Sequence, residues 1–208
     1  MGLYVKGVLG SFSGKVGTVV GANWRSIDYM RSLPKPSNKP ATEKQVAHRA
    51  KFAMVINFLS PLRELINIGF NDAGQTKQTG FNRATGHLMS VVEGEFPDYT
   101  IPYGKVILGT GSLQPIRARV ESDLDGLALS WTFTEGTINA QPDDVVNIVL
   151  YDSETDDFFV YQDALREDGT YSIPFDELNS ESLHTWVFAS SADGTKSSKS
   201  IYMGTLSV

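Results

Sequence analysis

The stretch Leu127-Ala-Leu-Ser-Trp-Thr-Phe133 decides the fold of the C-terminal half of the chain. Its large apolar side chains alternate with small or polar ones, which is the period of a β-strand that buries one face. Strand-like segments follow at residues 145–151, 158–162, 170–174, 184–190 and 199–203. Short strands at such spacing predict an antiparallel β-sandwich of the immunoglobulin or fibronectin type. We expect Trp131 and Trp186 to be its core aromatic residues.

Aspartate–glycine pairs lie near the ends of several of these strands, at residues 125–126, 168–169 and 193–194. Such pairs favour tight turns, because aspartate bonds to the nearby backbone and glycine accepts a positive φ. The chain contains no cysteine. The sandwich is therefore not held by a disulfide, and thiolate metal sites and cysteine nucleophiles are excluded.

The first forty residues predict a hairpin followed by an arm. Residues 16–20 and 24–31 have strand composition, and we expect the turn between them at residues 21–23. Residues 32–41 contain three prolines and two lysines. Proline restricts its own φ and biases its predecessor toward extended geometry, so this segment is predicted to be a stiff, polyproline-like arm.

Helices are predicted after the arm. Thr42 and Gln45 form a capping-box pattern for a helix that ends or kinks near Pro61. Residues 62–68 continue with helical spacing, and a further helix is expected at residues 81–92.

These elements together predict an α+β fold with two parts. Residues 1–108 would form a basic anchor region consisting of an N-terminal β-hairpin, a Pro-rich arm and a helical segment. Residues 109–208 would form a C-terminal immunoglobulin-like antiparallel β-sandwich.

Charge is distributed unevenly along the chain. Residues 1–52 contain nine basic and two acidic residues, a net charge of +7, whereas residues 53–208 contain nine basic and 22 acidic residues, a net charge of −13. The N-terminal quarter of the protein therefore has a net positive charge, and the rest has a net negative charge. Opposite fields steer association, so this pattern predicts partners rather than a fold.

The basic end supplies the candidate interaction residues. The cations are Lys15, Arg25, Arg31, Lys35, Lys39 and Arg49. Trp24 and Tyr29 are candidate aromatic anchors, because such residues dominate the energetics of interfaces. Three interpretations stay open: a solvated surface, a socket for an acidic protein surface, and a groove that follows phosphates and stacks on bases.

No pattern of residues predicts catalysis. The segment from Gly10 to Lys15 resembles a phosphate loop, but it has three residues rather than four between its glycines, and Val16 stands where serine or threonine is needed. The three histidines lack a metal-ligand spacing, and no serine lies in a Gly-x-Ser-x-Gly elbow. We therefore expect a protein that is not an enzyme, with no catalytic residue, cofactor or metal ion.

Acidic residues cluster at three places. The pairs Asp143-Asp144 and Asp156-Asp157 are typical of solvated loop edges, which discourage aggregation between strands. The sequence Asp123-Leu-Asp-Gly126 resembles the start of a calcium loop, but its closing glutamate is missing. We interpret all three as surface features.

The N-terminus has no long apolar run behind a basic start, so we expect no Sec-type signal peptide. No segment approaches the roughly 20 apolar residues that a membrane span needs. We expect synthesis in the cytosol, any exit by lysis or a dedicated machine, and a final location in a virion or an extracellular assembly.

Several motifs in the first quarter of the chain form a family signature. They are Ser13-Gly-Lys-Val-Gly17, Trp24-Arg25, Arg31-Ser-Leu-Pro34, Pro40-Ala-Thr-Glu-Lys-Gln45 and Arg49-Ala-Lys-Phe52. Together they resemble an uncharacterised bacterial family, a domain of unknown function with a variable β-rich C-terminal half. The pattern Pro-x-Thr-x-x-Gln-x-x-x-Arg-x-x-Phe is also similar to segments of uncharacterised phage and prophage proteins. The resemblance implies no enzyme and a shared basic part with a variable, exposed sandwich.

The resulting hypothesis is a non-enzymatic structural protein that self-associates or docks into a virion-like or filamentous assembly through its basic N-terminal region. Its partners would be copies of itself, as a homo-oligomer or lattice, or another assembly protein. The first alternative is a nucleic-acid-associated protein that uses the same basic surface. The second is a carbohydrate-binding sandwich with Tyr151, Phe159 and Tyr161 facing solvent, and the third is an unrecognised hydrolase.

Overall fold

The architecture is α+β in the computed structural model, which describes residues 2–3, 12–24, 27–36, 39–71, 78–123, 126–174 and 182–207. Neighbouring strands of its sheets are antiparallel throughout the described residues. The chain divides into two compact units, Met1–Thr42 and Glu43–Val208.

The N-terminal unit contains a four-stranded sheet. Its strands are β1 (Gly2–Leu3), β2 (Gly14–Val16), β3 (Val19–Trp24) and β4 (Ile27–Ser32). Their order is β1-β4-β3-β2, so β1 and β2 lie at the edges.

The predicted turn at residues 21–23 is wrong, because these residues lie within β3. The turn before β3 contains Gly17, whose φ of +60° favours glycine. Residues 21–23 pair with β4, and the pairing extends to Trp24 opposite Ile27. The glycine that the turn requires is therefore Gly17.

Three α-helices occur in the described residues at the start of the second unit. They are α1 (Glu43–Leu59), α2 (Arg63–Gly69) and α3 (Gly80–Val91). Pro61 lies in a 3-10 turn between α1 and α2, which confirms the predicted break at this proline. The Thr79 side chain accepts a hydrogen bond from the Asn82 N–H at 3.1 Å and caps α3.

Two antiparallel sheets follow within the described residues. Their strands are β5 (Arg119–Asp123), β6 (Gly126–Ser130), β7 (Val145–Asp152), β8 (Phe158–Leu165), β9 (Thr170–Pro174), β10 (Ser182–Ser190) and β11 (Ile201–Ser207). One sheet has the order β5-β6-β9 and the other β11-β10-β7-β8. Each of the six predicted strands overlaps an observed one, and β5 is an additional strand. Gly169 and Gly194 of the predicted turns have positive φ, while Asp125 lies outside the described residues.

Apolar side chains from both sheets form a common core. The three-stranded sheet contributes Leu127, Leu129 and Ile173, and the four-stranded sheet contributes, among others, Ile148, Leu150 and Val187. Trp131 also belongs to this core, as predicted. The two sheets therefore pack against each other through their apolar faces.

The other face of the four-stranded sheet packs on the helices. The sheet contributes Val149, Tyr151, Trp186 and Phe188 to this second core, and the helices contribute, among others, Leu59, Ile66 and Leu88. Trp186 is fully buried, on the helix side rather than between the sheets. Because of this packing, residues 43–108 share a compact unit with the strands. The boundary that we predict between residues 108 and 109 stays a prediction.

A buried ion pair connects loops of the second unit. Arg166 Nε lies 3.0 Å from Asp144 Oδ2, and the two side chains are 4% and 2% exposed. Arg166 Nη2 donates to the Gln114 carbonyl, and Trp131 Nε1 donates to the Arg166 carbonyl, each at 2.8 Å. Burial lowers the pKa of Arg166, and the Asp144 carboxylate opposes this effect. The expectation that Asp144 lies at a solvated edge is wrong, because a buried guanidinium needs a counter-charge.

Removing the Asp144 carboxylate would leave that guanidinium buried and unpaired. We expect Asp144→Ala to lower the free energy of unfolding by about 3–5 kcal/mol, measured by urea denaturation. The control is Glu93→Ala, which breaks the exposed pair with Lys105, whose side chains are 55% and 59% exposed. That change should cost about 1 kcal/mol or less. Equal losses in the two variants would contradict the structural role of Asp144.

Thr185 carries a hydroxyl group that the fold leaves unsatisfied. The residue is fully buried in β10, and its Oγ1 has no hydrogen-bond partner among the described residues. Since an unpaired buried polar group costs about 1–3 kcal/mol, we expect Thr185→Val to raise the free energy of unfolding by about 1 kcal/mol or more. Thr170→Val is the control, because the Thr170 hydroxyl donates to the Leu129 carbonyl at 3.1 Å. A Thr185→Val chain that unfolds no later in urea than the parent would refute the assignment.

Candidate interaction surface

Strand register decides which side chains share a face of the N-terminal sheet. Directly paired residues of antiparallel strands project to the same side. Lys15 of β2 pairs with Val20 of β3, which in turn pairs with Arg31 of β4. One row of this face therefore carries two cations, one on either side of a valine. Lys15 and Arg31 are both exposed.

The next rows of the same face add two aromatic residues. Ala22 pairs with Tyr29, and Trp24 pairs with Ile27. Alternation along β3 places these pairs on the side that Val20 occupies. Tyr29 is half-buried and Trp24 is 45% exposed. We call Lys15, Arg31, Tyr29 and Trp24 the cationic–aromatic face.

The opposite face of this sheet has different chemistry. On this opposite face, Val16, Val19 and Ser32 form a cross-strand row that is adjacent to the row of Lys15 and Arg31. Phe12 covers the centre of this side, because a Cβ atom at Gly21 would clash with the Phe12 ring and carbonyl. Cations and aromatic residues are therefore gathered on one side by register and not by composition alone.

The remaining predicted interaction residues lie elsewhere. Lys35 and Lys39 are exposed in the segment after β4. Arg49 is exposed on α1 and belongs to the second unit. Arg25 and residues 37–38 of the predicted arm lie outside the described residues. The structure thus brings together four of the eight predicted residues.

The second unit contains a cleft that the sequence does not reveal. It has a volume of about 510 Å³ and is lined by Met54, Asn57, Phe58, Pro61, Ile101, Tyr151, Asp156 and Phe158. The centroid of the Phe58 ring lies 5.1 Å from that of Tyr151 and 5.2 Å from that of Phe158. We call it the aromatic cleft. Its walls come from separate segments of the chain, so no local sequence motif marks it.

Asp156 places a carboxylate at the aromatic cleft. The Tyr151 hydroxyl donates to Asp156 Oδ1 at 2.6 Å. Asp156 has a φ of +61°, in the left-handed region that aspartate tolerates better than most residues. Burial, and then the hydrogen bond to Asp156, raises the pKa of Tyr151. The phenol therefore stays protonated and keeps donating to the carboxylate.

The burial of Tyr151 corrects one expectation. Tyr151 is 4% exposed, so the expectation that it faces solvent is wrong. Phe159 and Tyr161 are half-buried. Tyr151 therefore cannot contribute to a solvent-facing carbohydrate platform together with Phe159 and Tyr161.

His184 is packed among the rings beside this cleft. Its ring centroid lies 4.0 Å from that of Tyr103, and its Nδ1 atom is 2.8 Å from the Tyr202 hydroxyl. Burial lowers the pKa of His184, which favours the neutral ring. These contacts indicate a structural role for this histidine.

Neither a metal site nor a membrane helix is found in the part of the chain that the structure describes. Within that part, no group of three or more histidine or acidic residues could hold a metal ion. The helices described there are too short or too polar to cross a membrane.

Comparison with known proteins places the chain in a family. Curated proteins gave no match, and solved structures gave none either. The profile of a family of unknown function, DUF6266, matches residues 11–204. The prediction of an uncharacterised family is confirmed to that extent. Because the match covers nearly the whole sequence, the protein belongs to the DUF6266 family of unknown function.

Proposed function

We propose that this protein is a non-enzymatic structural protein that assembles through its basic N-terminal region into a virion-like or filamentous structure, in which its β-rich unit is displayed. The cationic–aromatic face carries the proposal. Arginine, tyrosine and tryptophan are the residues that most often dominate interface energies. Their grouping on one face of a small sheet supports a docking role for that face.

The charge of the two units favours a second copy as the partner. Residues 1–42 contain six basic and one acidic residue, a net charge of +5, and residues 43–208 contain twelve basic and 23 acidic residues, a net charge of −11. The N-terminal unit of one copy is therefore attracted to the second unit of another. Such a contact joins two different surfaces and generates rings or filaments. Another acidic assembly protein could occupy the same face.

An immunoglobulin-like sandwich is the display module in this proposal. In such sandwiches, strands A, B and E lie in one sheet and strands C, F and G in the other. In chain order, the described strands from β5 to β11 can be lettered A, B, C, C′, E, F and G. The sheet β5-β6-β9 then has the order A-B-E, and the sheet β11-β10-β7-β8 has the order G-F-C-C′. This agreement supports an immunoglobulin-like arrangement. Sandwiches of this type present clusters of loops at their ends, which suits exposure on an assembly.

A virion is the assembly that the sequence resemblance favours. The pattern from Pro40 to Phe52 is similar to segments of phage and prophage proteins. In this proposal the chain is made in the cytosol and leaves the cell by lysis or a dedicated machine.

Removing both cations from the cationic–aromatic face tests the proposal. We expect Lys15→Ser with Arg31→Ser to raise the dissociation constant for self-association about tenfold or more, because contacts worth at least about 1.4 kcal/mol are lost. Sedimentation velocity over a range of protein and salt concentrations measures this change.

The matched control changes the net charge equally on the opposite face. Val16→Glu with Ser32→Glu adds two negative charges in the adjacent row and so also lowers the net charge by two units. This variant should leave association close to that of the parent chain. Equal weakening of self-association by both double variants would show that net charge, and not the cationic–aromatic face, causes the effect. A parent chain that stays monomeric at every concentration and salt would contradict self-association.

Nucleic acid is the second candidate partner, because the same face combines cations with aromatic rings on which bases can stack. If it is the partner, single-stranded DNA should bind with an affinity that falls steeply with salt. Fluorescence anisotropy should then show that Lys15→Ser with Arg31→Ser lowers the slope of log affinity against log salt by about 1.4, since each phosphate contact contributes about 0.7. Absence of salt-sensitive binding would exclude this candidate.

A further inference from the structure

We propose that the aromatic cleft binds the segment Leu33-Pro-Lys-Pro36 of a second copy of this chain. This inference rests on the proposed self-assembly and names one of its contacts. Both the cleft and the segment consist of described residues.

The walls of the cleft suit proline. Phe58, Tyr151 and Phe158 form an aromatic cluster, with the Tyr151 and Phe158 ring centroids 4.6 Å apart. Aromatic-lined grooves are the usual receptors for proline-rich segments, which are already extended and lose little conformational entropy on binding. The volume of about 510 Å³ lies within the range of about 300–1,000 Å³ that is typical of ligand sites.

The charge of the cleft suits lysine. Asp156 is exposed, and the Tyr151 hydroxyl fixes its carboxylate. Two more acids occur in the same connection between β7 and β8, at Glu154 and Asp157, and no basic residue occurs there. Asp152 stabilises this loop, because its carboxylate accepts hydrogen bonds from the Glu154 N–H and the Thr155 hydroxyl at 2.8 and 2.9 Å. Because the Tyr151 hydroxyl and the ordered loop hold the Asp156 carboxylate in place, it loses little conformational entropy when it pairs with a cation.

The segment has the complementary features. Leu33, Pro34, Lys35 and Pro36 are all exposed. The Leu33 N–H donates to the Thr18 carbonyl at 2.8 Å, which fixes the start of the segment to the N-terminal sheet. The prolines on either side of Lys35 favour extended backbone. The prolines can pack on the half-buried side chains of Phe158, Met54 and Ile101, which lie above the buried rings. The lysine ammonium then pairs with the exposed carboxylate of Asp156.

A second copy is the occupant because the segment belongs to the cationic unit and the cleft to the anionic unit of the same sequence. A head-to-tail contact between copies therefore satisfies both surfaces repeatedly. The segment follows directly after β4, a strand of the cationic–aromatic face. The same contact between copies therefore includes both the proline-rich segment and this face.

Charge reversal in the full chain tests this contact. We expect Asp156→Lys and Lys35→Glu each to raise the dissociation constant for self-association about tenfold or more in sedimentation velocity. An equimolar mixture of the two variants should associate again. In that mixture, Asp156 of one chain meets Lys35 of the other, and the reversed pair also matches.

Asp157→Lys is the matched control, because it makes the same charge change at the neighbouring residue, which does not line the cleft. This control should associate close to the parent level. Parent-like association of Asp156→Lys, or equal weakening by Asp156→Lys and Asp157→Lys, would overturn the inference. If Lys15→Ser with Arg31→Ser still dissociates the assembly in that case, the proposed function stands without the cleft.

A second measurement identifies the occupant directly. The Lys35→Glu chain, whose own segment no longer fills the cleft of a second copy, is labelled with ¹³C at its methionine methyl groups, and an acetylated, amidated peptide of residues 32–36 is added. We expect the signal of Met54, which lines the cleft, to shift in this chain and to stay unchanged when Asp156→Lys is added to it, while Met203 does not move. No shift of Met54 in the Lys35→Glu chain would overturn the inference. Dilution to monomers that leaves Met54 at its bound position would assign the cleft to the chain's own segment and equally overturn it.

Discussion

Two strands that are buried on both faces hold the 43–208 unit together. β7 and β10 pair along their length, from Val145 with Ser190 to Asp152 with Leu183. Alternate residues of these strands enter the core between the sheets and the core against the helices. Antiparallel sheets often leave one face in water. Here a break in this pairing would expose two cores at once, so helices and strands depend on the same interaction.

The N-terminal sheet follows a different principle. Among residues 12–24, 27–36 and 39–42, Gly21 is the only one that is buried. Small sheets need a covered apolar face for stability. A sheet with so little buried surface gains from a partner that covers it, and its register offers that partner two cations and two aromatic residues. Low burial and the cationic–aromatic face therefore support the same account of docking.

The sequence predicts elements whose signal is local. Alternation from Leu127 to Phe133 identifies β6, and Pro61 marks the break between α1 and α2. The turn at residues 21–23 is misplaced, because glycine density alone does not show which glycine needs a positive φ. The nearly continuous apolar run at residues 145–150 is typical of a strand buried on both faces, and this signal could have indicated the helix-side core. The pairing of Arg166 with Asp144 and the aromatic cleft join segments that are distant in sequence, so local patterns do not reveal them.

The central claim is that the cationic N-terminal unit of one molecule is covered by the anionic unit of another. Carbodiimide cross-linking of an equimolar mixture of ¹⁴N- and ¹⁵N-labelled chains tests it most directly, because mass spectrometry then separates links within one molecule from links between two. The account predicts mixed-isotope links from Lys15 and Lys35 to carboxylates of residues 43–208. Links from these lysines that are confined to single molecules at every protein concentration would contradict it.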